Sequence, residues 1–181
     1  MTHAPPPYDT DHVIAILQRT PGTLQALLQG LDDALIHANL GEGTFSPFDV
    51  VGHLIHGERT DWIPRVRHIL EHGESRPFEP FDRFAQFEEN RGKSLVQLLD
   101  EFAEQRRHSL TVLRQLPLTE DDLNRFGQHP EFGRVTLRQL LSTWAVHDLN
   151  HIRQIVRTIA LQYADHVGPW RKYLSILKRD Q

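Results

Sequence analysis

The stretch that most constrains this chain is Val135 to Arg157, VTLRQLLSTWAVHDLNHIRQIVR, where apolar residues return at helical spacing from end to end. At about 100° per residue, Leu137, Leu140, Leu141, Trp144, Ile152, Ile155 and Ile159 fall on one stripe, and Thr136 stands where an N-cap is wanted. His147 and His151 lie about 40° apart on the same wheel, at the edge of the stripe beside Leu140 and Trp144. Two imidazoles on successive turns of an inward-facing edge can bind one metal ion. Two ligands are too few for a stable site, so a third has to come from elsewhere in the chain.

Three further helical segments precede this one. Helix A is expected from about Asp9–Asp11 to about Leu31, with Leu24, Leu27, Leu28 and Leu31 on its later apolar face and a kink or short break at Thr20-Pro21-Gly22. Ser46-Pro47-Phe48-Asp49 reads as an N-cap, a proline at the first helical position and an acidic box partner, opening a helix B that runs to about Glu71. Helix C is expected over roughly Phe84–Leu116, broken at most near Gly92, with Leu95, Leu98, Leu99, Phe102, Leu110 and Leu113 as its buried set. Leu118 to Arg134 is a long connection with at most one helical turn, and Tyr163 to Lys178 adds a short final helix or extension. No alternating strand pattern of useful length is present. Four long amphipathic helices imply an all-α bundle.

With 181 residues the chain suits one domain, with residues 1–8 and their three consecutive prolines as a loose arm. Twenty Lys and Arg stand against 24 Asp and Glu, and no basic cluster is interleaved with aromatics, which argues against a nucleic-acid partner. The chain has no cysteine, so a metal site must be built from His, Asp or Glu. The N-terminal residues carry no export pattern and no apolar run reaches the roughly 18 residues of a membrane span, so a cytoplasmic protein with no membrane partner is expected.

Helix B offers three candidates for the missing ligand, His53, His56 and Glu58 in VVGHLIHGE; on the wheel Glu58 falls well within the apolar arc, His56 near its border and His53 further out, so geometry alone does not select His53. The order of elements is more telling. A His followed by apolar residues near the start of the second helix, then Gly133-Arg134-Val135-Thr136-Leu137 leading into His147-x-x-x-His151, resembles the DinB/YfiT-like superfamily of bacterial metal-binding four-helix bundles over nearly the whole chain. The resemblance implies a divalent metal, zinc or nickel, held by His53, His147 and His151. It also implies a metal-dependent hydrolase, or a transferase of low-molecular-weight thiols such as bacillithiol and mycothiol, acting on a small molecule. A homodimer is expected, because resembling bundles often pair through helices and the apolar arc of helix B is wider than one seam requires.

Each candidate also has a plainer reading. His147 and His151 could be core-edge histidines satisfied by hydrogen bonds, and His56 could replace His53 as a ligand. Asp148 on the buried side of its helix, and Glu58 with the same ambiguity, could act in catalysis by orienting a ligand or serving a water, or be tied to an arginine in the core. Trp62 and Trp144 read as core. His147-Asp148-Leu149-Asn150-His151 also resembles the zincin motif with Asp in place of Glu, one methylene too short to hold the water well. The competing class is a non-catalytic bundle that a metal stabilises or that serves a partner. An open coordination position facing a pocket separates an enzyme from that alternative.

Overall fold

The computed structural model describes residues 6–178, and most of the arm expected over residues 1–8 lies outside them. Its long elements are α1 (Thr10–Leu28), α3 (Pro47–Thr60) followed at once by α4 (Trp62–His72), α6 (Leu95–Gln115) and α8 (Leu137–Leu161). One-turn helices α2 (Asp33–Ile36), α5 (Gln86–Glu89) and α7 (Glu120–Leu123) sit in the connections. The four-helix bundle expected from sequence is the fold. No helix among the described residues is long and apolar enough to cross a membrane.

Caps set most of the starts. Asp9 accepts from the Asp11 amide at α1, while Ser46–Asp49, Ser94–Gln97 and Thr136–Gln139 form reciprocal capping boxes at α3, α6 and α8. The box at Ser94, with Gly92 just before it at φ 77°, puts the break in helix C near Gly92, where the sequence allowed one: the long helix begins at Leu95, and Gln86–Glu89 is a separate turn. Helix B divides at Asp61, because Pro64 has no N–H for the Thr60 carbonyl and its ring crowds that position.

Pro21 does the opposite of what its chemistry suggests, since α1 runs through it unbroken. Its missing N–H would have bonded the Leu17 carbonyl, and that carbonyl instead accepts from Arg106 Nη1 at 2.8 Å. The helix stays intact because a buried side chain from α6 supplies the lost donor.

The 118–134 connection holds an antiparallel hairpin as well as α7, with β1 (Phe126–His129) paired to β2 (Gly133–Thr136), Phe126 opposite Thr136 and His129 opposite Gly133. Strands of four residues are too short to display an alternation. Gly127 lets this hairpin lie on the bundle, since a Cβ there would stand 2.7 Å from both Ile69 and Phe78. The C-terminal extension consists of two 3-10 segments, Gly168–Tyr173 and Ser175–Leu177.

The apolar core falls into two clusters, and every long helix passes from one to the other. On α1 the order is Val13, Ile14 and Leu17, then Thr20, then Leu24 and Leu28; on α6 it is Leu98, Leu99 and Phe102, then Arg106, then Leu110 and Leu113. The α3–α4 pair runs from Val50, Val51, Leu54 and Ile55 through Glu58 to Trp62, Ile63 and Val66, and α8 from Leu141 and Trp144 through Asp148 to Ile155. A polar layer therefore crosses the bundle between two apolar halves. The broad apolar arc of α3, which suggested a second copy, is covered within the chain by α5, α6 and α8.

Candidate metal centre

Capping fixes the start of each contributing helix, and periodicity does the rest. From the Ser46 box, His53 falls two turns into α3; from the Thr136 box, His147 and His151 fall on consecutive turns in the middle of α8. Where the two helices pack, the rings meet. The Nε2 atoms of His53 and His147 are 3.3 Å apart, those of His147 and His151 are 3.0 Å apart, and one ligand nitrogen from each ring lies within 4.8 Å of the others. Bonds of about 2.0–2.1 Å to one tetrahedral zinc ion separate two ligand nitrogens by about 3.3 Å, so the spacing fits a shared ion.

Burial keeps these rings uncharged. Desolvation, with the neighbouring imidazole of His151 and the guanidinium of Arg83 adding to it, lowers His53 to about 3. Desolvation and the other two imidazoles lower His147 to about 2. His151 is lowered too, again chiefly by burial, although Gln154 and Asp148 oppose the shift. At neutral pH all three are free bases, the form that binds metal. His151 Nδ1 lies 2.8 Å from Gln154 Oε1, an acceptor, which assigns the proton to Nδ1 and leaves the Nε2 lone pair aimed at the other rings. Nδ1 of His53 and of His147 are buried without a partner among the described residues.

The other sequence candidates are placed elsewhere. His56 turns its Nδ1 to Glu89 Oε1 at 3.0 Å and is not in the cluster. Asp148 and Glu58 are fully buried and face Arg106, the core arginine of the plainer reading. Arg106 Nε and Nη2 donate to Glu58 Oε1 at 2.9 and 2.7 Å, Nη1 and Nη2 donate to Asp148 at 2.6 and 3.1 Å, and Nη1 also serves Leu17. All five N–H groups of the guanidinium are used. Burial opposes the Arg106 charge, but Asp148 and Glu58 outweigh it and hold its pKa above the ordinary arginine value. Glu58 Oε1 also accepts from Trp144 Nε1 at 3.1 Å.

The imidazoles line an open cavity of about 820 Å³ between α3, α4, the residue 78–83 loop, the hairpin and α8. Trp62 stands edge-on to His147 at 5.1 Å and stacks on Trp144 at 5.6 Å, so it is both core and cavity wall. Phe81 meets His53 edge-on at 5.5 Å. Gly52 permits the close approach of α5 to α3, because a methyl group there would collide with the amides of Gln86 and Asn90. Gln154, Phe81 and Arg106 were not singled out in sequence. Gln154 could have been found three residues beyond His151, and Arg106 as the gap in the helix C series between Phe102 and Leu110.

Fold and site together define a four-helix bundle whose second and fourth long helices bring three neutral imidazoles to one point on the wall of a cavity. The family model of the DinB superfamily matches residues 16–155, and the chain belongs to that superfamily. Among solved structures it is similar to YfiT from Bacillus subtilis, described as a probable metal-dependent hydrolase with an unusual four-helix bundle topology; the TM-score is 0.70 at 22% identity, over 92% of this chain and 94% of that one. TT2238, described as a four-helix bundle protein, is similar with a TM-score of 0.49 at 21% identity, over 81% of this chain and 98% of that one. No curated protein matches the sequence.

Proposed function

We propose that His53, His147 and His151 hold one divalent ion, zinc or nickel, and that the protein is a metal-dependent enzyme acting on a small molecule by hydrolysis or by transfer of a low-molecular-weight thiol. The observation that carries the reading is the convergence of three uncharged imidazoles, Nε2 to Nε2 at 3.0 and 3.3 Å, on the wall of an open cavity. When bound, such an ion acts as a Lewis acid and brings the pKa of a water or thiol that reaches it toward neutrality.

The chain's own residues supply the rest. Gln154 fixes the tautomer and direction of His151, and Trp62 limits the swing of His147. Two carboxylates on one guanidinium leave the neighbouring layer with a formal charge of about −1, which favours a cation nearby. Asp148 and Glu58 hold helices together in this reading and do not touch reactants.

A metal that only stabilises the bundle is the second reading. Against it, no fourth His, Cys, Asp or Glu joins the cluster among the described residues, and the cluster borders a cavity. Elemental analysis is expected to find about one equivalent of metal in the wild type and none in a His147→Ala variant. Equal metal in both would remove the site. Metal-loaded protein assayed with bacillithiol, mycothiol, glutathione and simple esters, beside the metal-free form, separates enzyme from scaffold.

A further inference from the structure

The cavity wall carries two arginines in different states. Arg65 is already neutralised: its Nε lies 2.7 Å from Asp61 Oδ1 and its Nη2 donates to the Glu79 carbonyl at 3.3 Å. Arg83 has no carboxylate and no hydrogen-bond acceptor among the described residues, although it lines the same cavity as the three imidazoles. It is held there by aromatic faces, with its guanidinium carbon 5.2 Å from the Phe45 ring centroid and 5.3 Å from that of Phe84. Phe45 in turn is 5.7 Å from the His53 ring, so a single aromatic ring separates the guanidinium from the imidazole cluster. The positive charge of Arg83 is felt at both His53 and His151, whereas the cavity's exposed Glu131 acts on His129 of the hairpin.

The wall between these groups is mainly aromatic, with Phe45, Phe78, Phe81 and Phe132 among its residues. An unpaired guanidinium at one side of a mainly aromatic cavity matches a planar monoanion, because five N–H donors in a rigid fork suit a carboxylate and the wall's other arginine, Arg65, is already paired with Asp61. A phosphate monoester would bring two charges to one unpaired arginine.

We propose that the ligand of this cavity is an apolar carboxylic acid, its carboxylate on Arg83, its hydrocarbon or aromatic body against the phenylalanines, and its reacting group toward His53, His147 and His151. Only the last clause rests on the metal-dependent reading given above.

The test uses metal-free full-length protein, so that it stands apart from that reading. Calorimetry with 4-phenylbutyrate, 4-phenylbutyramide and 3-phenylpropyl phosphate is expected to give the acid about tenfold tighter binding than the amide, and tighter binding than the phosphate. Arg83→Gln is expected to abolish the preference of acid over amide, and Arg83→Lys to keep part of it. Arg83 is exposed, so these variants should fold, and an unchanged melting curve verifies it. Equal binding of acid and amide, no binding of either, a preference that survives Arg83→Gln, or a phosphate that binds best would each overturn the proposal. Metal content measured separately on wild type and His147→Ala tests the imidazole site and leaves this result unaffected.

Discussion

The charge layer of Arg106, Glu58 and Asp148 and the cluster of His53, His147 and His151 draw on the same two helices, with Arg106 added from α6. Both are polar and largely buried, with His147 half-buried, and His147 is the chain neighbour of Asp148. In the charge layer every guanidinium N–H has an acceptor within 2.6–3.1 Å, so the chain itself satisfies the donors. In the imidazole cluster the Nε2 atoms of His53 and His151 each lie within hydrogen-bond distance of His147 Nε2, and the Nδ1 atoms of His53 and His147 have no partner among the described residues. The first arrangement satisfies all of its own donors and leaves one carboxylate oxygen, Glu58 Oε2, unmatched; the second leaves two ring nitrogens unmatched in residues that line the cavity. Burial alone therefore does not mark a site. What distinguishes it is a convergence of ring nitrogens, two of the rings having no Nδ1 partner among the described residues, in a cluster that borders a cavity.

The largest effect is expected where the charge layer is broken. Arg106→Met leaves two buried carboxylates and the Leu17 carbonyl without their donor, and should cost about 3–5 kcal/mol in urea unfolding. A loss below about 1 kcal/mol would mean that the layer does not hold the helices together.

Metal removal comes next. An ion present at about 100 times its Kd should stabilise the fold by about 2.7 kcal/mol, so a chelator should lower the melting temperature of the wild type and leave His147→Ala unchanged. A chelator effect of equal size in both proteins would place the ion elsewhere.

The metal-free fold should also be acid-sensitive. Its imidazoles are uncharged down to about pH 3 for His53 and about 2 for His147, whereas in the unfolded chain they take up protons below about 6.5. Between those values the unfolded chain binds more protons, so stability is complete above pH 6.5 and falls as the pH drops toward 3. Denaturant titrations of metal-free protein at pH 7.5 and 5 measure this, and replacing His53 with Phe should flatten the dependence.

The smallest effect sharpens the comparison within the imidazole cluster. Gln154→Leu removes the hydrogen bond that orients His151, and should weaken metal affinity by about tenfold with little change in the stability of the metal-free fold. Unchanged affinity would show that packing alone orients His151.

Much of this was legible residue by residue. Ser46-Pro47-x-Asp49 and Thr136-x-x-Gln139 mark the two helix starts by chemistry confined to four residues, and His147 and His151 share a face by helix geometry alone. The hairpin is not legible because four-residue strands carry too short a pattern, and the division of helix B at Asp61 turns on one residue, Pro64, within an otherwise continuous helical pattern. The break expected at Pro21 failed for another reason. The local rule was sound, but the donor that satisfies Leu17 is 89 positions away.

By itself, then, the sequence determined the helices, their phase and the pair of histidines, since each depends on contacts within a turn or two of one helix. Tertiary structure decided that His53, and not His56, meets that pair from 94 positions away, that Asp148 and Glu58 go to Arg106, and that Arg83 has no counter-ion among the described residues on the cavity wall. On a wheel His53 and His56 differ by about 60°, and both prove buried. Which of them reaches α8 depends on how the two helices are rotated against each other, and that is fixed by the packing of the whole core.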